Sequence, residues 1–158
     1  MSRLADLARR LGKHDWVIRL IQLIVPVDRF VGRLTRGRLV TFGLRELPSL
    51  LLTTTGRVSG QPRSNPVFYI RDGDDFVVSA SNFGRPDHPA WSANLLANPD
   101  AVVAYRDGEI LVRARLTTGP ERDRLIAALT EVWPPYPRYL QRTTRTIRIF
   151  RLSPREPD

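Results

Sequence analysis

Cysteine is absent from the chain, histidine occurs only at positions 14 and 88, and Lys13 is its single lysine. Without thiols there can be no disulfide, thiolate metal site or cysteine nucleophile, a composition that suits a reducing cytoplasm. Two histidines are too few to expect a histidine-based metal centre. Long apolar runs are missing as well, and no stretch reaches the ~18–20 residues a membrane span requires. The most apolar piece, WVIRLIQLIVPV, is broken by Arg19 and Gln22. It also starts too late, and lacks the small-residue cleavage site, for a secretory signal. There is no internal repeat and no low-complexity tract. The glycine-rich stretch Gly56-Arg57-Val58-Ser59-Gly60 has neither the spacing of a P-loop nor that of a nucleophile elbow.

What the chain does have is arginine. It supplies 24 of the 25 basic residues, and the net charge is +9 over 158 residues. A GC-rich genome also produces such a bias, but the surface will attract anions whatever its origin: phosphates, acidic cofactors, anionic lipid or nucleic acid. The charge is uneven. Residues 1–47 hold nine Arg and one Lys against four acidic residues, and residues 48–158 hold fifteen Arg against twelve. The aromatics do not interleave with the arginines along one strand face, so a nucleic-acid partner is not expected.

The length suits one domain with a real core. Periodicity divides it into a basic helical arm, 1–47, and a strand-rich body, 48–158. In the arm, Leu4, Leu7, Ala8 and Leu11 stand at helical spacing, Asp15 can cap a second helix that Pro26 ends, and a short third helix covers 28–34. Residues 1–12 read as a membrane-surface segment or as disordered; residues 15–46 read better as helices packed on the body. In the body, strands are expected over 49–55, 64–71, 75–81, 100–106, 109–118 and 146–152. Asp72-Gly73 and Asp107-Gly108 mark hairpins. Helices are expected within 88–99 and over 120–133, with a proline-rich turn, PPYPRY, after the second. Paired strands without alternating helices argue against a parallel sheet and for a small antiparallel barrel of the α+β, mainly β, class.

Three stretches stand out. TTTGRVSGQPRSNP (53–66) reads either as a hairpin loop with glycines at positive φ or as an anion cradle, with exposed N–H groups, the Ser59 hydroxyl and the Arg57 and Arg63 forks aimed at a phosphate. SASNFGRPDHPAWSANLLANP (79–99) runs from a strand through a bend into a helix start that favours negative charge. There His88 reads as a cap or surface residue, Trp91 as core, and Asn94 as open to a ligand. In WPPYPRYLQR (133–142), Trp133, Tyr136 and Tyr139 are either a lid over a flat ligand or core filling.

LLTTTGRVSGQPRSNPVFYIRDGD, SASNFGRPDHPAWSANLLANP and YPRYLQRTTRTIRIF, in that order over about residues 48–152, resemble the deazaflavin-dependent nitroreductase family. The resemblance implies a six- to seven-stranded split β-barrel with flanking helices that binds coenzyme F420. Hydride would pass from the reduced coenzyme to a quinone, a nitro-aromatic or an activated enone. An FMN-binding split-barrel oxidoreductase and a non-catalytic F420 carrier are the alternatives. The first bend would hold the cofactor phosphate through Thr55, Gly56, Arg57, Val58, Ser59, Gly60, Arg63, Asn65 and Pro66, with Phe68 beyond. Ala80, Ser81, Asn82, Phe83, Gly84 and Arg85 would line ring and tail, and Pro89, Ala90, Trp91 and Asn94 the other side. Ser81, Tyr136 and Tyr139 would orient the acceptor. The chain departs from the family at Val58 and Asn82, where basic residues are usual, and at Phe68 and Trp133, where tyrosines are. Arg85 is a candidate to compensate for the lost charge. A homodimer and a cytoplasmic place, at the inner membrane face if residues 1–12 bind there, complete the expectation.

Overall fold

In β1 (Ser49–Thr55), Leu50, Leu52 and Thr54 are buried while Leu51, Thr53 and Thr55 between them are only partly covered. This period of two belongs to a strand with one face on a core. The computed structural model describes residues 48–106 and 108–156. The expected helices of the arm, its boundary at residue 47 and membrane contact through residues 1–12 lie outside the described residues. Among the described residues, no helix is long and apolar enough to cross a membrane.

After β1 come β2 (Pro62–Asp72), β3 (Asp75–Ser79), a 3-10 turn at Asn82–Gly84, α1 (Ala90–Ala97), β4 (Asp100–Tyr105), β5 (Gly108–Leu116), α2 (Gly119–Val132), α3 (Tyr136–Gln141) and β6 (Ile149–Pro154). The strands close into a barrel in the order β1-β2-β3-β6-β5-β4, antiparallel throughout. The expected mainly β barrel with flanking helices is the one observed, with six strands.

β2 serves two partners in turn. Pro62 to Phe68 pair with β1, and only Tyr69 to Asp72 pair with β3. The first half of β2 therefore has a free edge on its β3 side. Pro66 stands opposite Leu51 and has no N–H to give the ladder, so its pair is a non-hydrogen-bonded one. By alternation, Ser64 and Phe68 also turn their backbone polar groups away from β1, toward the free edge.

One core fills the barrel with Leu52, Phe76, Val78, Val103, Val112 and Leu152, and Trp91 and Leu95 of α1 close one end of it. At the other end Tyr69, Phe76 and Tyr105 meet edge to face. Burial first, then the Tyr105 hydroxyl, push Tyr69 up to about 12. A second core lies outside the barrel wall, where Ile70, Val77 and Ile149 meet Leu125 and Leu129 of α2 and Tyr136 and Tyr139 of α3. The expected PPYPRY turn is helix α3, because Pro135 and Pro137 fall at its start, where a missing N–H costs nothing. The turn expected at Asp107-Gly108 is shifted: Gly108 already pairs with Tyr105, and Arg106 takes the positive φ of 53°.

Arg151 of β6 clamps the second layer to the barrel. Its guanidinium reaches Asp72, Asp75 (2.6 Å) and Glu121 (3.0 Å), while Arg124 also grips Asp72 and Arg115 also grips Glu121. Hydrogen bonds from Arg124 and Arg151 hold Asp72 well below the usual carboxylate range. Arg115, with help from Arg151, draws Glu121 down to about 2. Replacing Arg151 with Gln takes the ion pair from Asp75 and leaves Asp72 and Glu121 with Arg124 and Arg115 alone, and urea unfolding should show a loss of about 2–4 kcal/mol. Because the folded values are depressed, this stabilisation is complete above the ordinary carboxylate range near ~4 and is lost as pH falls through the folded values. Thermal melts from pH 6 to pH 2 should show that acid-dependent loss in the parent and a shallower one in R151Q.

Candidate functional site

The β1–β2 connection is a tight loop. Gly56 N–H donates to the Gln61 carbonyl at 2.8 Å and Gly60 N–H to the Gly56 carbonyl at 2.7 Å. Gly60 needs its positive φ of 67°. The Ser59 hydroxyl accepts from Gln61 N–H at 3.3 Å and from Arg63 Nη2 at 3.5 Å. Arg57, Val58, Ser59 and Arg63 face solvent, and Val58 at the tip is 86% exposed. Asn65, Pro66 and Phe68 follow along the free edge of β2.

Asn94, expected at the ligand, instead spends both ends of its amide on the protein. Its Oδ1 accepts from Arg57 N–H at 3.1 Å, and its Nδ2 donates to Thr54 Oγ1 at 3.0 Å. It is buried at the barrel mouth, where it ties α1 to the base of the first bend. Thr54 was not singled out in the sequence, although a hydroxyl on the inward face of an otherwise leucine-rich strand was the available signal. Trp91 lies in the barrel core against Phe150. Ala80 is likewise core, with no exposed surface. Pro89 and Ala90 stand at the start of α1, partly or fully exposed.

The second bend carries unusual backbone. Ser81 is right-handed helical, and Asn82, Phe83 and Gly84 follow with φ of 47°, 56° and 75°. A right-handed residue followed by left-handed ones turns successive N–H groups toward one concave side, the geometry of an anion nest. For Phe83 the conformation costs about 1–2 kcal/mol, and packing holds it there. Its ring meets Tyr139 edge-on at 5.9 Å. Gly84 lies so close to α3 that a Cβ would stand 2.7 Å from Arg142 Cβ and 3.0 Å from the Tyr139 carbonyl. Arg85 projects into solvent.

Both tyrosines of α3 are buried. The Tyr136 hydroxyl is 2.7 Å from Ser79 Oγ, not at Ser81. Tyr139 accepts from Trp133 Nε1 at 3.2 Å. Burial pushes both phenols up, opposed by these hydrogen bonds, so each keeps its proton at neutral pH. Ser79, at the last position of β3, carried no signal that set it apart from Ser81.

Charge separates the two sides of the molecule. Arg113 and Arg115 of β5, Arg124 of α2 and Arg151 of β6 are engaged with carboxylates. Among the described residues, Arg57, Arg63 and Arg85 make no ion pair, and no cluster of His, Asp and Glu could hold a metal ion. The unpaired guanidiniums surround the two bends, beside the free edge of β2.

A closed antiparallel barrel with a cationic hairpin, a backbone nest and an aromatic helix at one end is a split-barrel protein suited to a flat ligand with an anionic tail. The family model described as F420H(2)-dependent quinone reductase matches residues 28–154. The chain is 38% identical over 153 residues to F420H(2)-dependent quinone reductase Rv1261c of Mycobacterium tuberculosis, covering 95% of this chain and 99% of that one. Among solved structures it resembles an F420-H2 dependent reductase, FDR-A, with 34% identity, a TM-score of 0.62, and coverage of 67% of this chain and 94% of that one. It also resembles a domain-swapped dimer with 32% identity, a TM-score of 0.65, and coverage of 88% and 98%. The chain belongs to the F420H(2)-dependent quinone reductase family, and its cofactor is coenzyme F420. The residues present fit that group: the nest and the unpaired arginines suit its phosphate and acidic tail.

Two substitutions probe the geometry. Asn94→Ala leaves the Thr54 hydroxyl only its 3.5 Å bond to the Arg63 carbonyl and removes the acceptor of the Arg57 N–H, at an expected cost of about 1–3 kcal/mol in urea unfolding. Gly84→Ala adds a left-handed penalty of about 1–2 kcal/mol to a clash with α3. Its near-ultraviolet circular dichroism should change as Tyr139 shifts.

Proposed function

We propose that this chain holds reduced F420 along the free edge of β2, between the two bends, and reduces a quinone, with nitro-aromatics and activated enones as promiscuous acceptors. The observation that carries this reading is the convergence of unpaired arginines and a backbone nest on the edge that the first half of β2 leaves open. When bound, the deazaflavin supplies a two-electron carrier, so the protein need provide neither a nucleophile nor a metal.

The chain's own tasks are binding, orientation and proton placement. The Arg57 and Arg63 guanidiniums hold the phosphate, since the N–H groups of Gly56, Arg57, Gly60 and Gln61 are spent within the protein, and Asn94 keeps that bend in place. Arg85 and the Ser81–Phe83 nest take further negative charge. Val58 offers no charge at the tip, which weakens the grip there. Tyr136, buried with its hydroxyl against Ser79 Oγ just before the second bend, is assigned the role of donor to negative charge developing on an acceptor oxygen. Tyr139 and Phe83 form the apolar wall behind it. Ser81 presents its hydroxyl from the bend itself.

The same reading extends to assembly. The outer face of β1, β4 and β5 bears a shallow depression of about 270 Å³ lined by Thr53, Thr55, Val102, Leu111 and Arg155. We propose it as the contact between two copies, a reading the domain-swapped relative supports.

Titration with oxidised F420 and with FMN, followed by quenching of each fluorophore, tests the cofactor. F420 should bind with an affinity that falls as salt rises, and Arg57→Gln with Arg63→Gln should weaken it by about tenfold or more, consistent with two charge-assisted contacts of ~1.5–3 kcal/mol each before solvent screening. Tight FMN binding with no response to F420 would sink the assignment. With menadione as acceptor, Tyr136→Phe should lower kcat by about 100-fold or more at unchanged F420 affinity. Binding without turnover in the parent would make the protein a carrier.

A further inference from the structure

Arg145 lies in the connection between α3 and β6, far in sequence from the second bend, and all three of its guanidinium nitrogens are spent on that bend. Nη2 donates to the Ser81 carbonyl at 2.8 Å, Nε to the Arg85 carbonyl at 3.0 Å, and Nη1 to His88 Nδ1 at 3.1 Å. The segment from 81 to 88 holds the left-handed residues, and its internal ties are few: Asn82 Nδ2 to the Asp87 carbonyl at 2.9 Å, Gly84 N–H to Ser81, and Arg85 N–H to Asn82. Arg145 grips both ends and the middle. A planar fork can do this where a lysine, with one point of charge, cannot.

We propose that Arg145 is the positioning residue of this bend and that His88 makes its grip depend on pH. The inference rests on the reading of the bend as a ligand-binding element. Arg145 can donate to Nδ1 only while that nitrogen carries no proton, which places the proton of neutral His88 on Nε2. The charged groups facing the pair are Arg148, which donates to Ser92 Oγ at 3.3 Å, and Asp87 in the bend; Tyr136 of α3 also faces Arg145. Burial first, then Arg148 and Arg145, hold His88 below its ordinary value. Protonating His88 removes an acceptor and sets a third positive charge beside two arginines, so the bend is held at neutral pH and released in acid.

The function of this arrangement is to join the two halves of the site. The connection that carries Arg145 begins where α3 ends, so its guanidinium ties the chain behind the tyrosine helix to the second bend.

Fluorescence titration with oxidised F420 should give a dissociation constant at least tenfold higher for Arg145→Gln than for the parent at pH 7.5, with Arg145→Lys recovering only part of the loss. From pH 7.5 to pH 5 the parent should lose affinity about threefold more than His88→Asn, which keeps an acceptor near Nδ1 without a titration. Any titration of the probe is common to both. Amide hydrogen exchange on the unliganded proteins gives an independent reading: Arg145→Gln, or Arg145→Lys if Gln does not fold, should exchange faster over residues 81–88 with the strand amides unchanged. Absence of F420 quenching by the parent would refute the cofactor reading and leave the exchange result to decide Arg145. Unchanged affinity and exchange in the variant, or faster exchange throughout the strands, would overturn the positioning role. Equal pH dependence in the parent and His88→Asn would overturn the role of His88.

Discussion

The molecule depends on a strand that changes partners. β2 runs eleven residues, yet β3 accompanies only its last four positions. Had β3 followed β2 along its whole length, the barrel wall would be continuous and no backbone edge would be open at that end. Because the chain leaves the sheet at Ser79, the space beside Ser64–Phe68 is bordered by a bend instead of a strand. Pro66 reinforces the arrangement, since a residue without an N–H fits the register only with its polar side turned outward.

The distribution of arginine follows from the same division. On β5, β6 and α2 the guanidiniums are consumed by Asp72, Asp75, Asp100 and Glu121, and their work is structural. Among the described residues, Arg57, Arg63 and Arg85 at the bends make no ion pair, so the field there acts on whatever comes from solution. Net charge alone could not separate these populations, because a paired and an unpaired arginine contribute equally to +9. The two cores divide in the same way. The barrel interior is closed by Trp91 and Leu95, whereas the outer core is built from the tyrosines that adjoin the open edge.

Much of the fold was legible because strand alternation is local. Leu50, Leu52 and Thr54 announce an inward face, Asp72-Gly73 its hairpin, and 120–133 a helix whose bounds differ from the observed ones by one residue. The helix at Tyr136–Gln141 was not legible, since prolines read as breakers unless their exact offset from the helix start is known. In the site, the residue types and the two bends were readable as motifs, while the pairings were not. Asn94 looked available because nothing in its neighbourhood of the chain reveals a Thr54 hydroxyl forty positions earlier. Ser79 and Ser81 are indistinguishable until Tyr136 is placed in space. Arg145 sits sixty-four residues from Ser81, and in the sequence it is one more arginine among many.

Val58 carries a consequence of another kind. The loop beneath it is closed by the Gly56 and Gly60 backbone and pinned from the side by Asn94, so the 86% exposed side chain at the tip bears on nothing that holds the fold together. Selection can therefore act on position 58 with the architecture held constant. A cation there, or its loss, retunes attraction for an anion while leaving folding untouched, which makes the tip a dial on which related proteins can drift apart in cofactor appetite by single codon changes.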